Sequence, residues 1–154
     1  MQFRIARIGS VRSVAIAAFL VGVLVMLLHR PFSQGEGGDT AIYDYIAQSV
    51  LRGQVPYRDV VDIKWPGAAH LSALAMLAGK PLGIRGVIAV RLLHILLVGS
   101  LSALIFLVTE TYLRRRDAAA IAFLFPLMLP RFGDWMVAGT EPKLSLMVFG
   151  MLSL

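Results

Sequence analysis

Residues 92–109 read LLHILLVGSLSALIFLVT, a run without Asp, Glu, Lys or Arg. A second uncharged run, residues 13–29, reads SVAIAAFLVGVLVMLLH. A helix that crosses a membrane needs roughly 20 mainly apolar residues, or about 17 at the short end. Both runs meet this length if the arginines at their ends extend toward the lipid headgroups, namely Arg12, Arg30 and Arg91. The two runs predict spans at residues 13–29 and 88–109.

The composition of the chain favours a membrane protein as well. Of its 154 residues, 58% are hydrophobic and 16% are charged, whereas soluble domains carry about 25% charged residues. So many apolar residues exclude disorder, and the absence of cysteine excludes a disulfide-stapled module. The net charge of +6 is spread among the apolar runs and forms no basic face, so we expect no nucleic-acid partner.

Three further apolar runs complete the predicted architecture. Residues 118–130 are interpreted as a short third span, and residues 142–154 as the start of a fourth that is truncated by the end of the chain. Residues 66–80 would form a helix of about 22 Å, which is short against roughly 30 Å of hydrocarbon. We interpret this run as an interfacial or re-entrant helix, with a short span as the alternative. The predicted fold is all-α and polytopic, with about four transmembrane helices.

The arginines predict the orientation of the spans. Basic residues precede the first span, and Arg114–Arg116 follow the second, so both segments are expected in the cytoplasm. The first span lacks a small-residue cleavage site after it and is interpreted as uncleaved. Residues 31–64 hold more acids than bases, which indicates an outer loop over residues 31–86. Residues 131–141 are then external too.

The outer loop contains a predicted amphipathic helix over residues 40–52. Its apolar face follows the helical spacing and consists of Ile42, Tyr45, Ile46, Ser49 and Val50. Its polar face carries Asp44, Gln48 and Arg52. Such a helix can lie on a membrane surface, and Gly53 is expected to end it.

Acidic and basic residues flank this helix on both sides. Asp39 follows a glycine-rich stretch and suits either an N-cap, which accepts a backbone N–H, or catalysis. Further on, residues 55–66 read VPYRDVVDIKWP. Arg58 with Asp59, and Asp62 with Lys64, can be local ion pairs of little energetic weight. The two basic side chains can also be simple headgroup anchors. The histidines in apolar runs are interpreted as packing residues, and no cluster has metal-ligand spacing.

These residues resemble the first outer loop of bacterial membrane glycosyltransferases of the GT-C fold, which are related to protein O-mannosyltransferases and to the aminoarabinose transferase of lipid A. The resemblance rests on Asp39, Tyr43, Ala47 and Gly53, on Pro56-Tyr57-Arg58-Asp59, and on Asp62-x-Lys64-x-Pro66-Gly67. Arg91-Leu92 at a span start and Glu141 before a later span also fit. Trp65 stands where many relatives have a first proline.

The resemblance implies a multi-pass enzyme of the bacterial inner membrane that transfers a sugar from a polyprenyl-phosphate donor to an acceptor on the outer face. It implies catalytic roles for Asp39, as a general base, and for Glu141. Positive charge must compensate the leaving phosphate, which implies a substrate-binding role for Lys64 and Arg58, with Asp59 and Asp62 in the same loop. It implies membrane lipid as a partner, no cofactor, and gives no indication of a divalent metal.

A second hypothesis comes from the shortness of the chain. A small non-catalytic membrane protein, such as an assembly or lipid-binding subunit, also accounts for the apolar runs. A transporter is less favoured, because the ionisable residues lie at span ends rather than at the membrane midplane.

Overall fold

The computed structural model describes residues 2–33, 35, 38–60, 66–129, 132, 136 and 141–153, with backbone alone for residues 2–10 and 39. Within these ranges every regular element is helical, which confirms the all-α prediction. The helices are α1 (Gln2–Leu28), α2 (Gly38–Leu51), α3 (Pro66–Gly79), α4 (Gly86–Leu113), α5 (Arg116–Leu127) and α6 (Pro142–Leu152). A 3-10 turn, Lys80–Leu82, continues α3.

Two helices are long and apolar enough to cross a membrane. The segment Val11–Leu28 of α1 has a mean hydropathy of 2.5, and Gly86–Leu113 of α4 has 2.4. Only 22% of the first segment and 44% of the second are buried inside the chain. Burial of apolar side chains is the main favourable term in folding in water, and these helices leave most of theirs uncovered. By length, composition and exposure they indicate membrane association.

The two remaining predicted spans are short helices. With 12 residues in α5 and 11 in α6, they reach about 18 and 16 Å, well below the roughly 30 Å of hydrocarbon. Pro126 lies inside α5 near its end, where its missing N–H weakens the last turn. Of the four predicted spans, the described part of the chain therefore holds two helices of sufficient length.

Small residues bring α1 and α4 into close contact. A Cβ added to Gly99 would lie 2.8 Å from Cγ2 of Val23 and 2.9 Å from Cδ2 of Phe19, and one added to Gly22 would lie 2.6 Å from Oγ of Ser102. Glycine at such crossings lets two backbones approach, as is common between membrane helices. This α1–α4 seam runs along the largest core cluster of the molecule.

A second layer, formed by α2 and α3, packs against the first turns of α4. Ala47, Ala73, Met76 and Val90 form one buried cluster there. The end of α2 is closed by Gly53, which has a φ of +82°. Its N–H donates to the Val50 carbonyl at 2.9 Å, and the left-handed conformation is one that glycine adopts without strain.

The predicted faces of α2 agree with the structure only in part. Ile46 and Ser49 are buried as members of the apolar face, but Tyr45 of the same face is 57% exposed, and Asp44, placed on the polar face, is only 1% exposed. The buried face consists of Thr40, Tyr43, Asp44, Ile46, Ala47 and Ser49. The reason lies in α3, whose buried side is mainly alanine and serine. Such short side chains allow the two backbones to approach and cover the short polar side chains of α2.

Candidate functional site

Two long-range hydrogen bonds lie at one end of the α1–α4 pair, and one of them involves the predicted site residue Glu141. Arg91 Nη1 donates to the Pro31 carbonyl oxygen at 2.6 Å, and the Glu141 backbone N–H donates to His94 Nε2 at 2.9 Å. We name this the loop end, defined by these four residues. The opposite end carries Arg114–Arg116 and is named the arginine end. The first long loop and the start of α6 thus lie at the same end.

Arg91, which the sequence placed at the start of an apolar run, lies inside a longer helix. Because α4 begins at Gly86, Arg91 lies in its second turn and is only 5% exposed. The segment after α1 supplies the Pro31 carbonyl as an acceptor, and a guanidinium needs such partners when it leaves water. Arg91 therefore fixes the path of the chain between α1 and α2.

His94 links α4 to α6. Its Nδ1 lies 2.9 Å from the Val90 carbonyl oxygen, and its ring is nearly fully buried. Because the Glu141 nitrogen carries a hydrogen, Nε2 must accept, and Nδ1 then carries the ring proton and donates to Val90. The sequence placed His94 among packing residues, and no local pattern points to a partner 47 residues away.

Glu141 forms the N-cap of α6. Its carboxylate Oε1 accepts the Lys143 backbone N–H at 3.3 Å, and Pro142 occupies the first helical position, which suits a residue without an N–H. The side chain is half-buried. Through its main chain and its carboxylate, Glu141 therefore fixes where α6 starts, and a catalytic role would be additional to this structural one.

Arg58 and Asp59 are bound to each other. Arg58 Nε and Nη2 each donate to one carboxylate oxygen at 2.9 Å. Asp59 Oδ2 also accepts the Val55 backbone N–H at 2.8 Å. The hydrogen bond from Arg58, followed by that from Val55, lowers the pKa of Asp59. A positive φ of 68° at Tyr57 tightens this turn, and the buried Val60 anchors it on the α2–α3 layer.

This pairing gives Arg58 a local structural role. Two of its nitrogens bind Asp59, and its expected contact to a ligand phosphate stays a prediction. In the described part of the chain, no hydrogen bond or ion pair joins this pair to Glu141.

The other predicted site residues are placed only in part. Asp39 is the second residue of α2, which begins at Gly38, so it lies at the start of that helix, and its capping role stays a prediction. A carboxylate in the first turn still interacts favourably with the helix N-terminus. The structure gives its backbone alone, and Asp62 and Lys64 lie outside the described residues.

The loop end holds an open cavity and an apolar groove. An open cavity of about 620 Å³ lies between α2, α3 and the start of α4, and we name it the arginine cavity. Its walls are Phe32, Gly35, Gln48, Leu51, Met76, Arg85, Gly86, Val87, Ile88 and Arg91. An apolar groove of about 370 Å³ separates α3 from α6 and begins at Pro142, directly after Glu141.

Sequence reasoning missed three functional candidates here: Arg85, Arg91 as a cavity wall, and Asp44 as a buried carboxylate. Asp44 follows Thr40 by one helical turn, and both lie on the face that meets α3. The sequence does not show that this face is buried, because that depends on where α3 lies. Among the described residues, no three His, Cys, Asp or Glu side chains are grouped as metal ligands would be.

Comparison of the chain with protein-family models, with curated proteins and with solved structures finds no match.

Proposed function

We propose that this chain belongs to a multi-pass membrane glycosyltransferase, which transfers a sugar from a polyprenyl-phosphate donor to an acceptor on the outer side of the bacterial inner membrane. One observation carries the proposal beside the sequence resemblance. The apolar groove between α3 and α6 begins at Pro142, so a hydrocarbon chain lying in it would have its head near the Glu141 carboxylate and the first long loop.

The groove suits a prenyl chain because it opens onto the apolar outside of the molecule. Its wall residues Leu74, Leu146 and Phe149 are all more than half exposed. These side chains face lipid if the long helices span the membrane, so a lipid tail can enter sideways without crossing water. Each Å² of apolar surface that the chain covers contributes roughly 25 cal/mol.

The chemistry needs a base and a positive charge. Asp39 is the proposed base that takes the proton from the acceptor hydroxyl, and Glu141 is the second acid. Lys64 is the proposed contact to the donor phosphate, whose charge grows as the sugar leaves. Arg58 and Asp59, which are bound to each other, are proposed to shape the turn at residues 55–60 and to belong to the same substrate-binding loop as Asp62 and Lys64.

The proposal includes an orientation. Residues 1–12 and 110–117 are cytoplasmic, and the loop end is external. The chain has no cysteine, so a single cysteine can report the side of each segment. A cysteine at position 115 should resist an impermeant thiol reagent in intact cells and react after the cells are opened. Labelling in intact cells would mean that residue 115 is external and that the proposed orientation is wrong.

The proposed base is tested by Asp39→Asn. Membranes that contain the full-length protein would be incubated with radiolabelled undecaprenyl-phosphate hexose or pentose, and the release of undecaprenyl phosphate measured. Loss of a general base should lower turnover about 10²–10⁴-fold. Asparagine caps a helix about as well as aspartate, so a purely capping role predicts no loss.

Asp117→Asn is the matched control, because Asp117 is an exposed acid at the arginine end and should leave turnover unchanged. Wild-type turnover in Asp39→Asn would remove Asp39 from the mechanism. Release from neither donor by the wild-type protein would instead favour the non-catalytic hypothesis.

A further inference from the structure

His94 fixes the main chain at the point where the apolar groove begins. Its ring on α4 accepts the Glu141 backbone N–H through Nε2 at 2.9 Å, and the next residue, Pro142, is a wall of the groove. The other ring nitrogen, Nδ1, lies 2.9 Å from the Val90 carbonyl oxygen. Both ring nitrogens are therefore engaged, because Nδ1 donates within α4 and Nε2 accepts from the N-cap of α6.

The His94 ring is closed off from a ligand at the loop end. It is only 2% exposed, and it lines neither the arginine cavity nor the apolar groove. A ligand in either place therefore does not touch the ring. Among the described charged groups, the Glu141 carboxylate is the one whose charge acts on His94. An influence of His94 on a reaction at the loop end must accordingly pass through Glu141.

Glu141 is held at two points. Its main chain is bound to His94, and its carboxylate Oε1 accepts the Lys143 backbone N–H at 3.3 Å. The second carboxylate oxygen, Oε2, takes part in neither of these bonds. That oxygen is the one left for an acid or base role, which requires an atom within hydrogen-bond reach of the substrate.

The rest of α6 is anchored separately. Leu144 and Val148 are almost fully buried and belong to the core cluster that α6 shares with α4. Loss of the His94 acceptor would therefore leave the helix packed and give freedom only to its first residues, with Glu141 among them. A displacement of about 1 Å in a reacting group can lower a rate about 10²-fold, so a small local freedom is enough to affect a reaction.

We propose that His94 is a positioning residue for sugar transfer, which holds the main chain of Glu141 so that its carboxylate stays at the head of the apolar groove. This inference rests on the proposed function, since it gives Glu141 a part in the reaction. His94 supplies an acceptor, a ring nitrogen without a proton. A side chain with an oxygen near the same place should replace it, whereas a side chain of similar size without an acceptor should not.

Hydrogen exchange tests the positioning without a sugar donor. The protection of the Glu141 amide is measured at single-residue resolution in the full-length protein in dodecyl maltoside micelles. His94→Leu has no acceptor and should lower this protection at least about tenfold, since the bond that covers the amide is lost. His94→Gln keeps an acceptor near the position of Nε2 and should retain the protection to within about threefold.

Turnover tests the role in the reaction. In the assay of undecaprenyl phosphate release, His94→Leu should lower kcat about 10–10²-fold and change KM for the donor less than about twofold. His94→Gln should restore kcat to within about threefold of the wild type. Glu141→Gln should lower kcat while its backbone N–H stays bound. The double variant His94→Leu/Glu141→Gln should lose no more than Glu141→Gln alone, because His94 acts through that carboxylate.

Thr111→Val is the matched control. Thr111 also lies on α4, and its Oγ1 donates to the Leu107 carbonyl oxygen at 2.7 Å, as His94 Nδ1 does to Val90. It lies 17 residues after His94, or about 25 Å along the helix. The variant should change neither the protection of the Glu141 amide nor kcat.

Three outcomes would overturn the proposal. Full protection of the Glu141 amide in His94→Leu would mean that the bond does not hold the main chain. Failure of His94→Gln to restore protection and kcat would mean that the ring acts by its packing and not as an acceptor. An additive loss in the double variant would mean that His94 does not act through Glu141.

The two measurements separate this inference from the proposed function. Absence of release by the wild-type protein would contradict the glycosyltransferase proposal, and the part of His94 in catalysis would fall with it. The exchange result would still show whether His94 holds Glu141, because that measurement needs no donor. Normal kcat in His94→Leu with an unprotected Glu141 amide would contradict the positioning role alone.

Discussion

The two ends of α4 use arginine in opposite ways. At the loop end, Arg91 is buried and bound to a carbonyl 60 residues away in sequence. At the arginine end, Arg115 is exposed and pairs with Asp117, two residues further on. One contact joins distant parts of the chain, whereas the other involves neighbours that would meet in almost any fold.

This difference shows what a charged group contributes at each end. An exposed ion pair is weak because water screens it and competes for both partners. A buried guanidinium must find acceptors, and each acceptor it finds is thereby held in one place. The described contacts at the loop end therefore join segments that lie far apart in the sequence.

The largest loss of stability is expected at the α1–α4 seam, because the contacts at both ends depend on these two helices being packed together. Gly99→Leu would place a side chain where Val23 and Phe19 already lie within 3 Å of a Cβ, which forces the helices apart. Overpacking of this kind costs about 3 kcal/mol. Unfolding by SDS in mixed micelles measures the change. Gly150→Leu is the control, since a Cβ on Gly150 meets no atom within 4 Å; an equal loss there would contradict the seam.

The second effect compares the two arginines directly. Arg91→Met removes the donor to Pro31 and leaves a buried carbonyl without it, which should lower the free energy of unfolding by about 2 kcal/mol. Arg115→Met removes an exposed partner and should cause no measurable change. Both variants are measured without added lipid in the same SDS titration. Equal losses in the two variants would mean that the buried arginine contributes no more to stability than the exposed one, against the comparison made here.

The smallest effect is local and depends on pH. Hydrogen bonds from Arg58 and then from the Val55 N–H lower the pKa of Asp59 in the folded chain. The turn is therefore fully stabilised above the ordinary aspartate pKa, and this stabilisation is lost as the pH falls through the lowered value. Protection of the Val55 amide from hydrogen exchange should fall in that acidic range.

Asp59→Asn provides the comparison for this turn. Val55 protection should then no longer change with pH across the acidic range. An unchanged pH dependence in that variant would mean that another group controls the turn. The pKa of Asp117 is also lowered, mainly by its hydrogen bond from Arg115. Protonation of Asp117 should leave the protection of the Val55 amide unchanged.

Local patterns in the sequence predicted the long helices well. Hydropathy placed a helix at residues 88–109, and α4 is longer at both ends. Polar residues such as Glu110 continue the helix beyond the apolar run, and hydropathy alone does not detect them. The Arg58–Asp59 ion pair was also within reach, since the two residues are neighbours. In each case the information lies within a few residues.

The contacts between segments could not be predicted in this way. Periodicity allows more than one face of α2 to be buried, and the choice depends on α3, which is distant in sequence. The bond between His94 and Glu141 likewise needs the relative positions of α4 and α6. Asp39 illustrates the intermediate case: the helix it begins was predicted, but the role of its carboxylate depends on neighbours that the sequence alone does not identify.

The hydrogen bond between Arg91 and Pro31 brings the two ends of the segment 31–91 next to each other. If the chain were cut in the turn between α2 and α3, each piece would keep one member of two separate helix pairs, α1 with α4 and α2 with α3. The two pieces would then hold together without a covalent link. The protein should accordingly be reconstituted from two separately expressed fragments divided within residues 53–59, as in fragment complementation.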